Sequence, residues 1–160
     1  AAWVIEDDKA IRHSFVSQIV RPDGFEIPPG ASNVHGITTE RALAEGEEIH
    51  GVLDALAAAA AGASRIVAHN AAFDGPVIAA EYFRMGRTPP FDPSAMRCTM
   101  ETGKHFTKIP GRYGDWKWPT LHELHNRLFL EGFDGAHDAG ADVAACARCY
   151  YGLLQRGFWQ

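Results

Sequence analysis

Two short segments carry side chains that could do chemistry. The first, "GAHDAGADVAAC" at residues 135–146, sets His137, Asp138 and Asp142 into a pattern that otherwise reads as an apolar helix. Acidic groups on a core-facing helix are costly unless something compensates them. Were residues 137–142 all helical, His137 and Asp142 would lie about 140° apart around the axis, too far to share a target. They act together only if His137 sits on the loop before the helix, and Asp138, a natural N-cap, places the boundary there. Asp142 then projects from the first turns, and His137 reaches over from the loop. The small residues Ala136, Ala139, Gly140 and Ala141 would let another group approach the backbone closely. Taken alone, the segment reads as readily as a capped helix with a solvated Asp and His.

The second segment, "AHNAAFDGP" at residues 68–76, repeats that grammar: a strand end, His and Asn, two alanines, then Asp74 one turn into a helix. Phe73, just before it, is apolar and expected in the core. An acidic residue near a helix N-terminus gains from the helix dipole, which would explain Asp74 without chemistry. Two strand-to-helix junctions with the same acidic residue weaken that explanation, because ligands of open α/β sheets sit at the carboxyl ends of strands.

The elements around these segments read as follows. "AAWVIEDD" is a strand and turn, and residues 13–22 alternate up to Pro22 as a second strand, antiparallel to the first. Residues 23–38 read as a loop broken by Pro28, Pro29 and Gly30. Thr38 or Thr39 starts a short helix, and residues 47–61 place Ile49, Val52, Leu53 and Leu56 at helical spacing before Gly62. "SRIVAHN" is a buried strand running into a helix capped by Asn70, with Val77, Ile78 and Tyr82 on its apolar face. "AMRCTM" is a short strand, residues 103–118 are irregular, and Thr120 caps "LHELHNRLF". The final helix runs from about Asp138 to Gln155, closed by Gly157. This order predicts a single α/β domain over residues 1–160, with a mixed sheet, antiparallel first and parallel after the crossover helix, flanked by helices.

A chain of 160 residues suffices for one domain with a real core. No apolar run approaches a membrane span, and without a basic stretch followed by an apolar one near Ala1 no signal peptide is expected here. The net charge of -5 argues against binding nucleic acid by bulk positive charge. It leaves open an enzyme that meets phosphates through metal ions in an acidic pocket. Three cysteines without a framework fit a reducing, cytoplasmic setting. Cys146 and Cys149 share one buried helix face, and a zinc site there would lack two further ligands.

"HNAAFD" and "HDAGAD" resemble the second and third motifs of the DEDDh 3′–5′ exonucleases, the family that includes the proofreading subunit of bacterial replicative polymerases and RNase T-like enzymes. "VRPDGFEIPPGASNVHGIT" and "KWPTLHELHNRLF" extend the resemblance in the right order over most of residues 1–157. The resemblance implies an RNase H-like fold and two divalent ions, Mg²⁺ or Mn²⁺. It also implies in-line attack of water on the terminal phosphodiester of a single-stranded DNA 3′ end, releasing nucleoside monophosphates. His137 would be the general base, a role suited to a side chain that titrates near neutrality. Asp142 would be a direct metal ligand, and Asp74 would hold the second metal, directly or through water. Asn70 and Phe73 would line the floor of the site. His35, Gly36 and Ile37 would flank the terminal nucleotide, with Ile37 a wedge against its base. DNA and RNA stay open as substrates, as do a free-standing enzyme, a polymerase subunit and a non-catalytic relative.

One departure matters. The family's first motif is Asp-x-Glu on the first strand, and none of the ten aspartates has glutamate two positions later. "VIEDD" offers Glu6-x-Asp8, in the reverse order and on a turn. The expected reading is that the motif-bearing central strand lies upstream of Ala1, so that these 160 residues by themselves are inactive or nearly so. His122 and His125 are three apart, one short of the spacing a zinc protease helix needs. Trp116 and Trp118 could stack bases, but packing under the irregular loop is the default. Arg112 and Lys117 read as solvated surface before phosphate contacts.

Overall fold

A computed structural model describes residues 1–135 and 137–159. Ala136, one of the small residues singled out above, lies outside them. The chain opens with β1 (Ala2–Glu6) and β2 (Arg12–Ser17), paired antiparallel with Ala2 opposite Ser17 and Val4 opposite Phe15. Asp7 makes the turn. Its carboxylate accepts from the backbone N–H groups of Lys9 and Ile11, both at 2.9 Å, and from His13 at 3.1 Å. Those bonds hold it below the usual carboxylate range. The second strand is shorter than its sequence pattern, which ran on to Pro22.

Residues expected to form a loop contain a helix, α1 (Pro29–His35). Proline breaks a helix interior but suits its first position, where its missing N–H is not needed. α2 (Thr39–Glu45) starts at Thr38, whose hydroxyl accepts from the Arg41 N–H at 3.2 Å. α3 (Ile49–Ala60) buries Val52 and Leu53. β3 (Val67–Ala68) leads into α4 (Ala71–Arg84), whose buried Tyr82 donates its hydroxyl to the Leu53 carbonyl at 2.8 Å. A single 3₁₀ turn, Pro93–Ala95, precedes β4 (Arg97–Cys98), parallel to β3.

α5 (Thr99–Thr107) occupies part of the stretch read as irregular. Gly103 looked like a breaker but serves packing, since a Cβ there would stand 2.9 Å from Leu124. α6 (Leu121–Phe129) begins with a full capping box between Thr120 and Glu123. α7 (Ala139–Gln155) packs on it through Leu124, Leu128, Cys149 and Leu153, all buried. Gly152 permits the close crossing, because a Cβ there would meet the Phe129 ring at 2.9 Å.

The sheet has the expected mixed sense but not the expected unity. Among the described residues β1 pairs only with β2, and β3 only with β4. α7 touches β1, β2 and β3 and so spans both halves. Among the described residues, no helix is long and apolar enough to cross a membrane.

Candidate active site

Asp74 is the fourth residue of α4, and Asp142 is the fourth residue of α7. Both therefore stand one turn inside a helix N-terminus. α7 is capped by Asp138, whose carboxylate accepts from the Ala141 N–H at 2.9 Å. His137 lies before the cap in a left-handed turn, φ 74°. Its backbone N–H bonds the Asp142 carboxylate, and its ring is close enough to attract that carboxylate. The imidazole stays exposed.

The charges of both aspartates reach the Cys146 thiol. Burial pushes that thiol up to about 12, and the charges of Asp74 and Asp142, with Cys98, add to the push. The first turns of α4 and α7 and the end of β4 thus lie within electrostatic reach of one buried thiol. Burial raises both aspartates above the usual carboxylate range. For Asp142 the His137 N–H and ring oppose the rise, and the charge of Asp138 adds to it. No Lys or Arg pairs with either aspartate among the described ion pairs. Half-buried oxygens without a cation suit a hard divalent ion. Two carboxylates do not complete such a site, and no group of three or more His, Cys, Asp or Glu is gathered for a metal among the described residues.

Other predicted residues fall elsewhere. Asn70 takes the N-cap position of α4 but does not cap it: it is left-handed, φ 69°, with no side-chain bond. Phe73 is not in the core; it is 65% exposed, next to Asp74. His35, Gly36 and Ile37 form the end of α1 and the turn after it, with the Ile37 N–H bonding His35 Nδ1 at 3.1 Å. No described hydrogen bond or ion pair joins these three to the aspartates.

The sequence reading passed over His69 and Thr99. Burial lowers the His69 pKa, partly opposed by its bond to a carbonyl, and favours the neutral ring. Nε2–H then donates to the Pro119 carbonyl at 3.2 Å, and Nδ1 accepts from Thr99 Oγ1 at 2.9 Å. Thr99, fully buried, also meets Cys146 Sγ at 3.6 Å. A polar line thus runs from Pro119 to the Cys146 thiol. The signal for His69 was its place at a strand end before a helix. Thr99, thirty residues away, gave none.

The family model of the exonuclease (RNase T) domain matches residues 1–150. The crystal structure of E. coli exonuclease I in complex with a dT13 oligonucleotide superposes with a TM-score of 0.74 at 20% sequence identity. The match covers 96% of this chain and 36% of that one, so the chain spans little more than a third of its length. No curated protein sequence matches significantly. The likeness shows the fold, and the expected RNase H-like α/β architecture stands.

Proposed function

From the premise that the chain belongs to the exonuclease family whose model spans residues 1–150, we propose a divalent-metal-dependent 3′–5′ exonuclease. It would act on single-stranded DNA ends and release nucleoside monophosphates. The observation that carries this reading is the pair Asp74 and Asp142, each half-buried one turn inside a helix, with no Lys or Arg paired to either among the described ion pairs and both within electrostatic reach of one buried thiol.

In this reading Asp142 and Asp74 would hold Mg²⁺ or Mn²⁺, which when bound would supply Lewis acidity. His137, exposed beside Asp142, would take a proton from the attacking water, while the Asp138 cap keeps the imidazole off the helix. Asn70 and Phe73 border the substrate; His35, Gly36 and Ile37 are assigned to the terminal nucleotide by resemblance alone. A second ion needs carboxylates beyond these two. Among the described residues the strands form two separate pairs, β1 with β2 and β3 with β4, which leaves room for a further strand between them; by resemblance that strand would carry the Asp-x-Glu. DNA is favoured over RNA because the exonuclease I structure holds a DNA oligonucleotide.

The test uses the full protein encoded with these residues. Metal-dependent release of mononucleotides from a 3′-labelled single strand is expected, with matched DNA and RNA strands separating the two substrates. No cleavage of either strand with Mg²⁺ or Mn²⁺ would sink the reading. The absence of Asp-x-Glu favours one rival, a binding module that kept the fold and lost the chemistry. An adjoining coding sequence without that motif on an apolar strand would decide for it.

A further inference from the structure

Residues 104–118 differ from the rest of the chain. They carry Lys104, Lys108, Arg112 and Lys117 against the single acid Asp115, four minus one, a local charge of +3 in a chain of net charge -5. They also carry exposed aromatics: Tyr113 at 88%, Trp118 at 60% and Trp116 at 43% exposure. The default expectation that both tryptophans pack beneath the loop does not hold.

Lack of structure does not explain the exposure. Residues 109–117 form a small hairpin closed by Gly111 N–H to the Asp115 carbonyl at 2.7 Å and Lys117 N–H to the Ile109 carbonyl at 2.9 Å. A bridge joins Pro110 to Trp116. Its base is fixed as well. Lys117 reaches Glu123 at 2.6 Å, and Pro119, next to Trp118, is fully buried and accepts from His69. Large aromatic rings held out on a rigid support lose burial energy that a loop could recover by folding them in. Lys104 lies over one side of the Trp118 ring, 5.4 Å from its centroid.

We propose that this hairpin is the track for the single strand that leads to the aspartate pair. Trp118 and Trp116 stack the bases upstream of the scissile bond, and Lys108 and Arg112 meet the phosphates. The inference rests on the exonuclease reading of Asp74 and Asp142 and deepens it. Three observations choose single-stranded nucleic acid as the occupant. Cations interleave with aromatic faces, the combination that holds unpaired strands without reading sequence. The positive charge is local to this segment, as phosphate contact requires when the whole chain is acidic. The line Pro119–His69–Thr99–Cys146 ties the hairpin base to the thiol that the charges of both carboxylates reach.

The test is fluorescence anisotropy of a labelled oligothymidylate with the full protein in EDTA, where binding is read without cleavage. Trp118→Ala should weaken binding by about 5- to 150-fold, the range that loss of one base stack gives, and Trp118→Phe should recover most of it. Lys108→Ala and Arg112→Ala should each flatten the salt dependence by about one ion. If Trp118→Ala does not fold, Trp118→Leu, apolar but without a π face, takes its place. Unchanged affinity in the Trp118 and Trp116 variants, or no binding by the parent, overturns the proposal and leaves the aromatics to a protein partner. Trp118-dependent binding without metal-dependent cleavage would sink the exonuclease reading and leave the track standing.

Discussion

At residues 69–74 and again at residues 137–142, the chain places histidine, Asn or Asp, two small residues, one variable residue and aspartate. Both stretches precede or enter a helix, and both put the aspartate at its fourth position. They part at the backbone. In the first, the left-handed residue is Asn70 at the cap position, and no side chain caps the helix. In the second, it is His137, one place earlier, and Asp138 is free to cap. That shift of one residue decides what each histidine can do. His69 is drawn inward to Thr99 and Pro119, and its ring nitrogens are committed. His137 is left at the surface, where its backbone N–H bonds Asp142 and its ring attracts that carboxylate. Equal spacing thus yields one histidine held inside by two hydrogen bonds and one left exposed.

The comparison breaks most visibly at the aspartates. In the full protein, Asp142→Ala and Asp74→Ala should each lower metal-dependent cleavage beyond the range of a lost general base, by more than about 10⁴-fold. A variant at either position with near-parental turnover would end the claim that the junctions act as a pair. The histidines come next. His137→Gln should cost about 10²- to 10⁴-fold in kcat with little change in Tm. His69→Ala should instead cost about 1–3 kcal/mol of stability, because the Pro119 carbonyl loses its donor inside the protein while Thr99 keeps the Ala68 carbonyl. Chemical denaturation beside initial rates separates the two outcomes, and the reverse pattern would exchange their roles. Smaller again is the cap: Asp138→Ala should cost about 1 kcal/mol, within a range of roughly 0.5–2. Asn70→Ala should cost no cap, since Asn70 makes no cap bond.

Much of this contrast was legible in the residues, and its limits have physical causes. Asp138 and Thr120 announce their caps through short-range rules, and the structure has both bonds. The helix at residues 29–35 was hidden because proline marks both loops and first helical positions. The helix at residues 99–107 was hidden because Gly103 reads locally as a breaker, while its reason to be glycine is Leu124, on another helix. Phe73 looked like core by composition alone, and the outward face of α4 is a property of the assembled fold. His69 and His137 could not be told apart from spacing, because the partners that separate them lie thirty and fifty residues further along.

The smallest expected effect sharpens the difference between an aspartate kept for folding and one kept for chemistry. Folding raises the Asp74 pKa above its ordinary value, chiefly by burial. The native state therefore binds a proton more readily than the unfolded chain, and stability declines as pH rises from about 4 through the native pKa. At neutral pH the ionised carboxylate is a net cost with no cation to offset it. Asp74→Asn removes the charge at nearly constant shape, so Tm at pH 7 should rise, by up to about 4 °C for a chain of this length. The gain should vanish below about pH 4, where the parent carboxyl is itself neutral. Cleavage should fall in the same variant, since an amide is a poor ligand for a hard cation. A rise in Tm with a loss of turnover is the signature of a residue retained against stability. A fall in Tm at pH 7 would mean that the ionised Asp74 supports the fold, and the symmetry between the two junctions would then be one of sequence alone.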